Sequence, residues 1–282
     1  MCRSPEPSVV TAQTKRTIIM VRRFLVVGAC VLVAGAGLWL YAAAAEGDND
    51  GSQPAQKVVN PGNKAFYKED GAFAADKAKA AYYDMMRAFN YPIPKLLKSD
   101  QFWVCDFLSR DFEKLGMGGI FWMNEKGVYG ESGSKAYTGD FKGQKFGYLG
   151  HEIYLLPGQM LPEHRHIGGD GGYGPKMEAW HIRYGSVEFF GEFKGAGDEK
   201  SISEMPQAER PWGCGQDWFK SKYVAKRTAG ELYKLVDAES WHFQRAGANG
   251  AIVSEYATYH NHVEFSKPGM KFECSPASPA PK

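Results

Sequence analysis

The chain has 282 residues, 44% hydrophobic and 23% charged, which is ample for a buried core and unlike a disordered polymer. Its formal charge of +2 is unevenly spread: residues 1–45 hold Arg3, Lys15, Arg16, Arg22 and Arg23 against Glu6 alone, leaving 29 basic and 31 acidic residues in the rest. A slightly acidic body has no electrostatic footing for nucleic acid, which is excluded as a partner.

Residues 24–45 contain no charge, follow Arg22-Arg23 and end in four alanines before Glu46. A basic flank, an apolar run and small residues at its end form the layout of a secretory signal, and the run is also long enough to anchor in a bilayer. Met20 opens a more conventional start of such a signal. Residues 1–45 are therefore expected to be a signal peptide or membrane anchor. The protein is expected to be periplasmic, secreted or anchored facing outward, touching a membrane only through this segment. Residues 46–65, polar and rich in Gly, Ser, Pro and Asn, read as a linker.

Between Ala72 and Asn90 apolar side chains recur at Ala74, Ala78, Ala81, Tyr82, Met85 and Phe89, and Pro92 and Pro94 follow. That spacing predicts a helix stopped by the prolines. Residues 66–139 thus read as a helical arm leading into the next domain. From there short apolar runs at 120–123, 153–156, 187–190, 232–236 and 251–254 alternate with glycine-containing turns, the texture of an antiparallel sandwich or barrel expected over 140–270. Residues 195–229 lack such runs and read as a long insertion with one short helix. Residues 271–282, ending Ser-Pro-Ala-Ser-Pro-Ala-Pro-Lys, read as a disordered tail.

The chemistry-bearing stretch is His164-Arg-His166, then Lys176-Met-Glu178 beyond a bend holding Gly168, Gly169, Gly171, Gly172 and Gly174. On a strand, residues two apart share a face, so both imidazoles can enter one cavity and a hairpin would return Glu178 beside them. His242 could add a third imidazole. Three imidazoles and a carboxylate suit a divalent transition metal, although a histidine pair alone is a weak signal. His181 has the opposite parity to Glu178 and should point away. His151 reads as structural, and His260 and His262 as rim or pocket wall. Cys105, Cys214 and Cys274 are an odd set in the body of the chain. An oxidising compartment would permit one bridge, but their spacing names no pair, and the absence of CxxC excludes a zinc ribbon.

The intervals from Gly158 to His164 and from Glu178 to Gly185 match the first motif of the cupin superfamily, with the stretch between His166 and Glu178 lengthened. Lys176-Met-Glu178 after the histidine pair resembles the D-lyxose isomerases, metal-dependent cupin ketol-isomerases. So does Phe102-Trp-Val-Cys-Asp-Phe-Leu-Ser-Arg-Asp-Phe-Glu-Lys-Leu-Gly116, and so do Trp241-His242-Phe243 and Glu255. The resemblance covers roughly residues 92–265. It implies a mainly β fold, a cupin-type antiparallel β-barrel (double-stranded β-helix) with an N-terminal helical arm. It implies one divalent metal, manganese first and iron, zinc, nickel or cobalt next, held by His164, His166, Glu178 and His242. Lys176 and Glu255 become the proton-handling pair of an aldose–ketose isomerase acting on a small sugar, with homodimerisation left open. Trp180 shares the parity of Glu178, and reads equally as a sugar-facing aromatic or a core one. Glu255 ends an apolar run without a partner visible in sequence, so burial is expected to raise its pKa toward that of a useful base.

The sequence departs from the family in the insertion 167–175, and in Tyr259-His-Asn-His-Val-Glu-Phe265, which lacks the family's arginine, so a particular sugar is not implied. A cupin dioxygenase would use similar metal ligands, and an exported, non-catalytic metal- or sugar-binding cupin module would need neither Lys176 nor Glu255.

Overall fold

Alanine-rich sequence gives way to β-branched and aromatic sequence near residue 100, and the structure changes character at the same place. A computed structural model describes residues 53–128, 145–168, 172–195, 197–259 and 262–276. The leader, with the expectation of export, lies outside the described residues, as does His260. Among the described residues no helix is long and apolar enough to cross a membrane.

The helical arm comprises a short turn, α1 (Asn63–Phe66), and α2 (Ala75–Ala88). Asp76 sits in the first turn of α2 and Arg87 in the last, each complementing the helix dipole. Ala78, Tyr82, Met85 and Met86 form its buried face, so the expected helix is present with ends trimmed by a few residues. Eleven strands follow: β1 (Trp103–Cys105), β2 (Met117–Val128), β3 (Lys145–Leu155), β4 (His164–Arg165), β5 (Glu178–Gly191), β6 (Lys200–Ser201), β7 (Tyr223–Thr228), β8 (Leu232–Lys234), β9 (His242–Ala257), β10 (Glu264–Phe265) and β11 (Cys274–Ser275).

The named strands pair antiparallel throughout, as expected of a mainly β fold, and the main hydrogen-bonded path runs β11-β1-β2-β3-β9-β5-β7-β6. This path is open at both ends, and β4 bridges β9 to β10 beside it. Two elements depart from the sequence reading. The insertion contains β7, whose buried Val224, Ala225 and Arg227 are interrupted by lysine and threonine and so never form a long apolar run. The expected tail begins too early, because Cys274 and Ser275 pair with β1.

Long β9 is the spine. It pairs with β3 along 251–257 and with β5 from Glu178 through Gly191, across two register shifts. The second shift falls at Gly185, whose φ of +76° and whose contact with the Gly250 carbonyl exclude a side chain. Strand alternation then sorts the core. Trp103 and Cys105 turn into one cluster with Ile153, Trp180 and Val253, while Phe102 and Val104 turn into a second beneath Tyr82 and Met85 of α2. The first cluster surrounds the pocket; the second fixes the arm to the outside of the sheet.

Candidate active site

His164 opens β4 and is paired in register with His242, the first residue of β9. His166 follows two residues on, and Glu178 opens β5. All four side chains are buried. Each imidazole is oriented from behind by a backbone carbonyl: Nδ1 of His164 lies 2.9 Å from Pro162 O, Nδ1 of His242 lies 2.9 Å from Ser240 O, and Nδ1 of His166 lies 3.2 Å from His262 O. A carbonyl only accepts, so Nδ1 carries the proton and Nε2 keeps its lone pair for the cavity. One ligand-capable nitrogen from each ring lies within 4.8 Å of the others. Glu178 Oε1 lies 3.2 Å from His166 Nε2 and 3.4 Å from His242 Nε2.

This arrangement places acceptors against acceptors. His242 Nε2 and Glu178 Oε1 are buried without a hydrogen-bond partner among the described residues. Burial, and then the neighbouring His242, push the His164 pKa well below its ordinary value, so its ring is neutral. Three imidazoles and an oxygen donor converging on one point fit a divalent cation, which turns their mutual repulsion into coordination. The four residues expected as ligands are therefore brought together.

A second cluster adjoins the first. Lys176 Nζ lies 3.2 Å from Glu178 Oε2 and contacts Glu255 Oε1. Burial opposes the charge on Lys176, but the two carboxylates outweigh it and raise its pKa. On Glu255 burial acts to raise the pKa, yet Lys176 and His151 together hold it well below the ordinary carboxylate value. The expectation that Glu255 would be raised is thus reversed, because a cation and an imidazole reach it from elements remote in sequence. Lys176 is ammonium and Glu255 carboxylate, an acid and a base in contact.

His151, read from sequence as structural, is the residue missed. It stands opposite Glu255 in the β3–β9 register, and its Nδ1 lies 2.9 Å from Glu255 Oε2. Trp103 stacks on its ring at 5.5 Å and Phe121 packs at 4.5 Å. Only the strand register, which the sequence does not display, would have linked the two. Trp180 lines the pocket but is 1% exposed, wedged among Phe189, Tyr233 and His242, so it is chiefly a core aromatic. His181 is half-buried on the opposite parity, as expected. His262 contributes its carbonyl to His166, in keeping with a wall position. The insertion is moored beside the site by Glu163, whose carboxylate accepts the backbone N–H groups of Lys220 at 2.9 Å and Ser221 at 2.6 Å. Phe107, Met117, Phe121, Leu161, Phe265 and Phe272 complete an apolar wall.

No protein-family model matches the chain. Among curated proteins it is 33% identical over 126 residues to a D-lyxose/D-mannose isomerase of Thermosediminibacter oceani. That stretch covers 44% of this chain and 64% of the relative, so the match spans less than two thirds of the relative's length. Among solved structures it is similar to the L-ribose isomerase of Acinetobacter sp. DL28 in complex with L-ribose, at 17% identity and a TM-score of 0.48, covering 73% of this chain and 95% of that one. It is also similar to the L-ribose isomerase of Cellulomonas parahominis, at 16% identity and a TM-score of 0.48 with the same coverage. The resemblance read from the sequence is the one the curated relative carries in its name.

Proposed function

We propose that the protein is a metal-dependent aldose–ketose isomerase acting on a small sugar. The observation that carries this reading is the junction at Lys176, whose ammonium bridges the carboxylate of the four-donor cluster and the carboxylate of a buried acid–base pair. A site that only bound metal would not require the second half. The isomerase name of the curated relative supports the same reading, and the basic and apolar leader supports an exported site of action.

His164, His166, His242 and Glu178 would hold the ion, with manganese first and iron, zinc, nickel or cobalt next on the mixed imidazole and carboxylate donor set. When bound, it would act as a Lewis acid toward the sugar's carbonyl and the neighbouring hydroxyl. Glu255, kept ionised, takes the proton from the carbon bearing that hydroxyl and returns it to the former carbonyl carbon. Lys176, kept protonated, donates to the carbonyl oxygen and recovers a proton from the hydroxyl, so the net change is aldose to ketose with no proton gained or lost. His151 aims the Glu255 carboxylate, and the apolar wall limits water near the exchanging proton.

The test is metal analysis of the purified protein followed by a panel of aldoses and ketoses in deuterated water. Interconversion without oxygen uptake, with deuterium entering the carbon next to the carbonyl, supports the proposal. Oxygen consumption with bound iron would make the protein a dioxygenase, and saturable sugar binding without turnover a binding module.

A further inference from the structure

Three cysteines lie in the body of the chain, and the strand register separates them. Cys105 is the last residue of β1, and its Cα partner across the antiparallel ladder is Cys274, the first residue of β11. Residues directly opposed in such a ladder stand ~4.5–5.5 Å apart at Cα and project to the same face. A disulfide spans Cα separations of ~4.4–6.8 Å, so the register brings this pair within bridging range. Both side chains belong to the same apolar cluster, Cys105 fully buried in it and Cys274 half-buried against it. The Cys105 thiol already reaches across the ladder, donating to Glu273 O at 3.4 Å, one residue from Cys274. Cys214 lies in the insertion, outside this pairing.

We propose that Cys105 and Cys274, both thiols in this structure, form a cross-strand disulfide that fastens the C-terminal strand to β1. Among the described residues, two register pairs join β11 to the sheet. The segment it terminates carries Phe272, which lines the pocket and packs edge-on against Trp103 at 5.2 Å, beneath His151. The bridge therefore holds one wall of the site as well as a sheet edge. The oxidant is a disulfide, either oxidised glutathione or a dithiol oxidase of an exported compartment. The half-buried Cys274 thiolate attacks one sulfur of that disulfide and expels the other as a thiolate. The Cys105 thiolate then attacks the Cys274 sulfur and expels the second thiolate. Two thiols lose two protons and two electrons, and the oxidant's disulfide becomes two thiols.

The experiment incubates the full chain with oxidised glutathione, blocks remaining thiols, digests with trypsin without reduction and identifies linked peptides by mass spectrometry. Cleavage after Lys98, Arg110 and Lys271 places Cys105 in peptide 99–110 and Cys274 in peptide 272–282. The expected result is these two peptides joined, separating on reduction. Closing a loop of roughly 170 residues should also raise the melting temperature of the oxidised protein over the reduced one, by about 5–15 °C. In Cys274→Ser the oxidised and reduced forms should melt together, a comparison within one variant that does not depend on its basal stability. Recovery of both peptides as separate blocked thiols, linkage of either to Cys214, equal melting of the two wild-type forms, or an undiminished shift in Cys274→Ser would each overturn the proposal.

Discussion

His151 and Glu255 face each other across the β3–β9 ladder, with His151 Nδ1 2.9 Å from Glu255 Oε2 and both side chains buried. One oxygen of Glu255 is thereby committed to His151 while the other meets Lys176. The carboxylate is fixed in orientation by groups from two separate elements, as a positioned base must be. Trp103 in turn fixes the His151 ring, and Gly119 makes room for that packing, since a side chain there would collide with the indole.

Replacing His151 should therefore alter the base rather than remove it. In His151→Phe the ring stack on Trp103 survives but the contact to Glu255 does not. The expected result is a fall in kcat of about 10–100-fold, by analogy with the loss of supporting groups around a site, with metal content unchanged. The acid limb of the kcat–pH profile should move up, because one of the two groups holding the Glu255 pKa down is gone. An unchanged profile would mean that His151 only fills space.

Glu255→Gln and Lys176→Met should retain the metal and lose roughly 10²–10⁴-fold in turnover, the usual worth of one proton-transfer group. Metal content and sugar affinity, measured alongside, separate the readings. Loss of metal together with activity would assign Lys176 and Glu255 to the scaffold of the ion site.

The four-donor cluster makes a separate claim. Alanine at His164, His166, His242 or Glu178 should take bound metal from about one equivalent to near zero. Chelation of the wild type should abolish activity, and the divalent ion should restore it. A His164→Ala, His166→Ala double variant that kept full metal and full activity would refute the site.

Much of this site could be read along the chain, and the reason is periodicity. Residues two apart on a strand share a face, so His164 with His166 and Lys176 with Glu178 could be paired without a structure. The buried alternation of Glu178, Trp180 and Ile182 and the face of α2 follow from the same logic. Relationships across a ladder were not legible, because register is a property of two strands and leaves no mark on either alone. His151 opposite Glu255 and Cys105 opposite Cys274 are both of this kind. The electrostatics of Glu255 failed for the same cause: its apolar neighbours in sequence were visible, and its charged neighbours in space were not. Strand β7 escaped notice because Arg227, paired with Asp198 at 2.7 Å, occupies an inward position where an apolar residue would be expected.

Stability should depend on pH through Glu255. Its folded pKa lies well below the ordinary value of 4.5. The unfolded state therefore takes up the proton first, and the stabilisation, fully present above the ordinary carboxylate range, is lost as pH falls through and below it. Melting temperatures of the chelated wild type should stay level near neutrality and drop on acidification below about pH 4.5. Glu255→Gln has no such proton to bind, so its decline should be shallower. Parallel curves for the two proteins would show that Glu255 is no more strongly held in the fold than in the unfolded chain.

The last prediction concerns the joint between the helical arm and the sheet. Gln159 is fully buried and makes three hydrogen bonds there: Tyr82 Oη donates to its Oε1 at 2.6 Å, Leu156 N donates to the same oxygen at 3.0 Å, and its Nε2 donates to Phe112 O at 2.5 Å. Replacing it with leucine keeps most of the volume but leaves an amide and a carbonyl buried without these partners and takes the acceptor from the Tyr82 hydroxyl. At ~1–3 kcal/mol for each such group, the loss should be about 3 kcal/mol or more. For a domain of this size that corresponds to a fall of roughly 6–12 °C in Tm. Tyr82→Phe removes one of the three bonds, and Leu156 N–H still satisfies the Gln159 oxygen, so its cost should be near 1 kcal/mol. Gln159 is not among the residues lining the pocket, so metal content should not change in either variant. Thermal melts of the two variants decide the matter. Equal, small shifts would show that water replaces the lost partners.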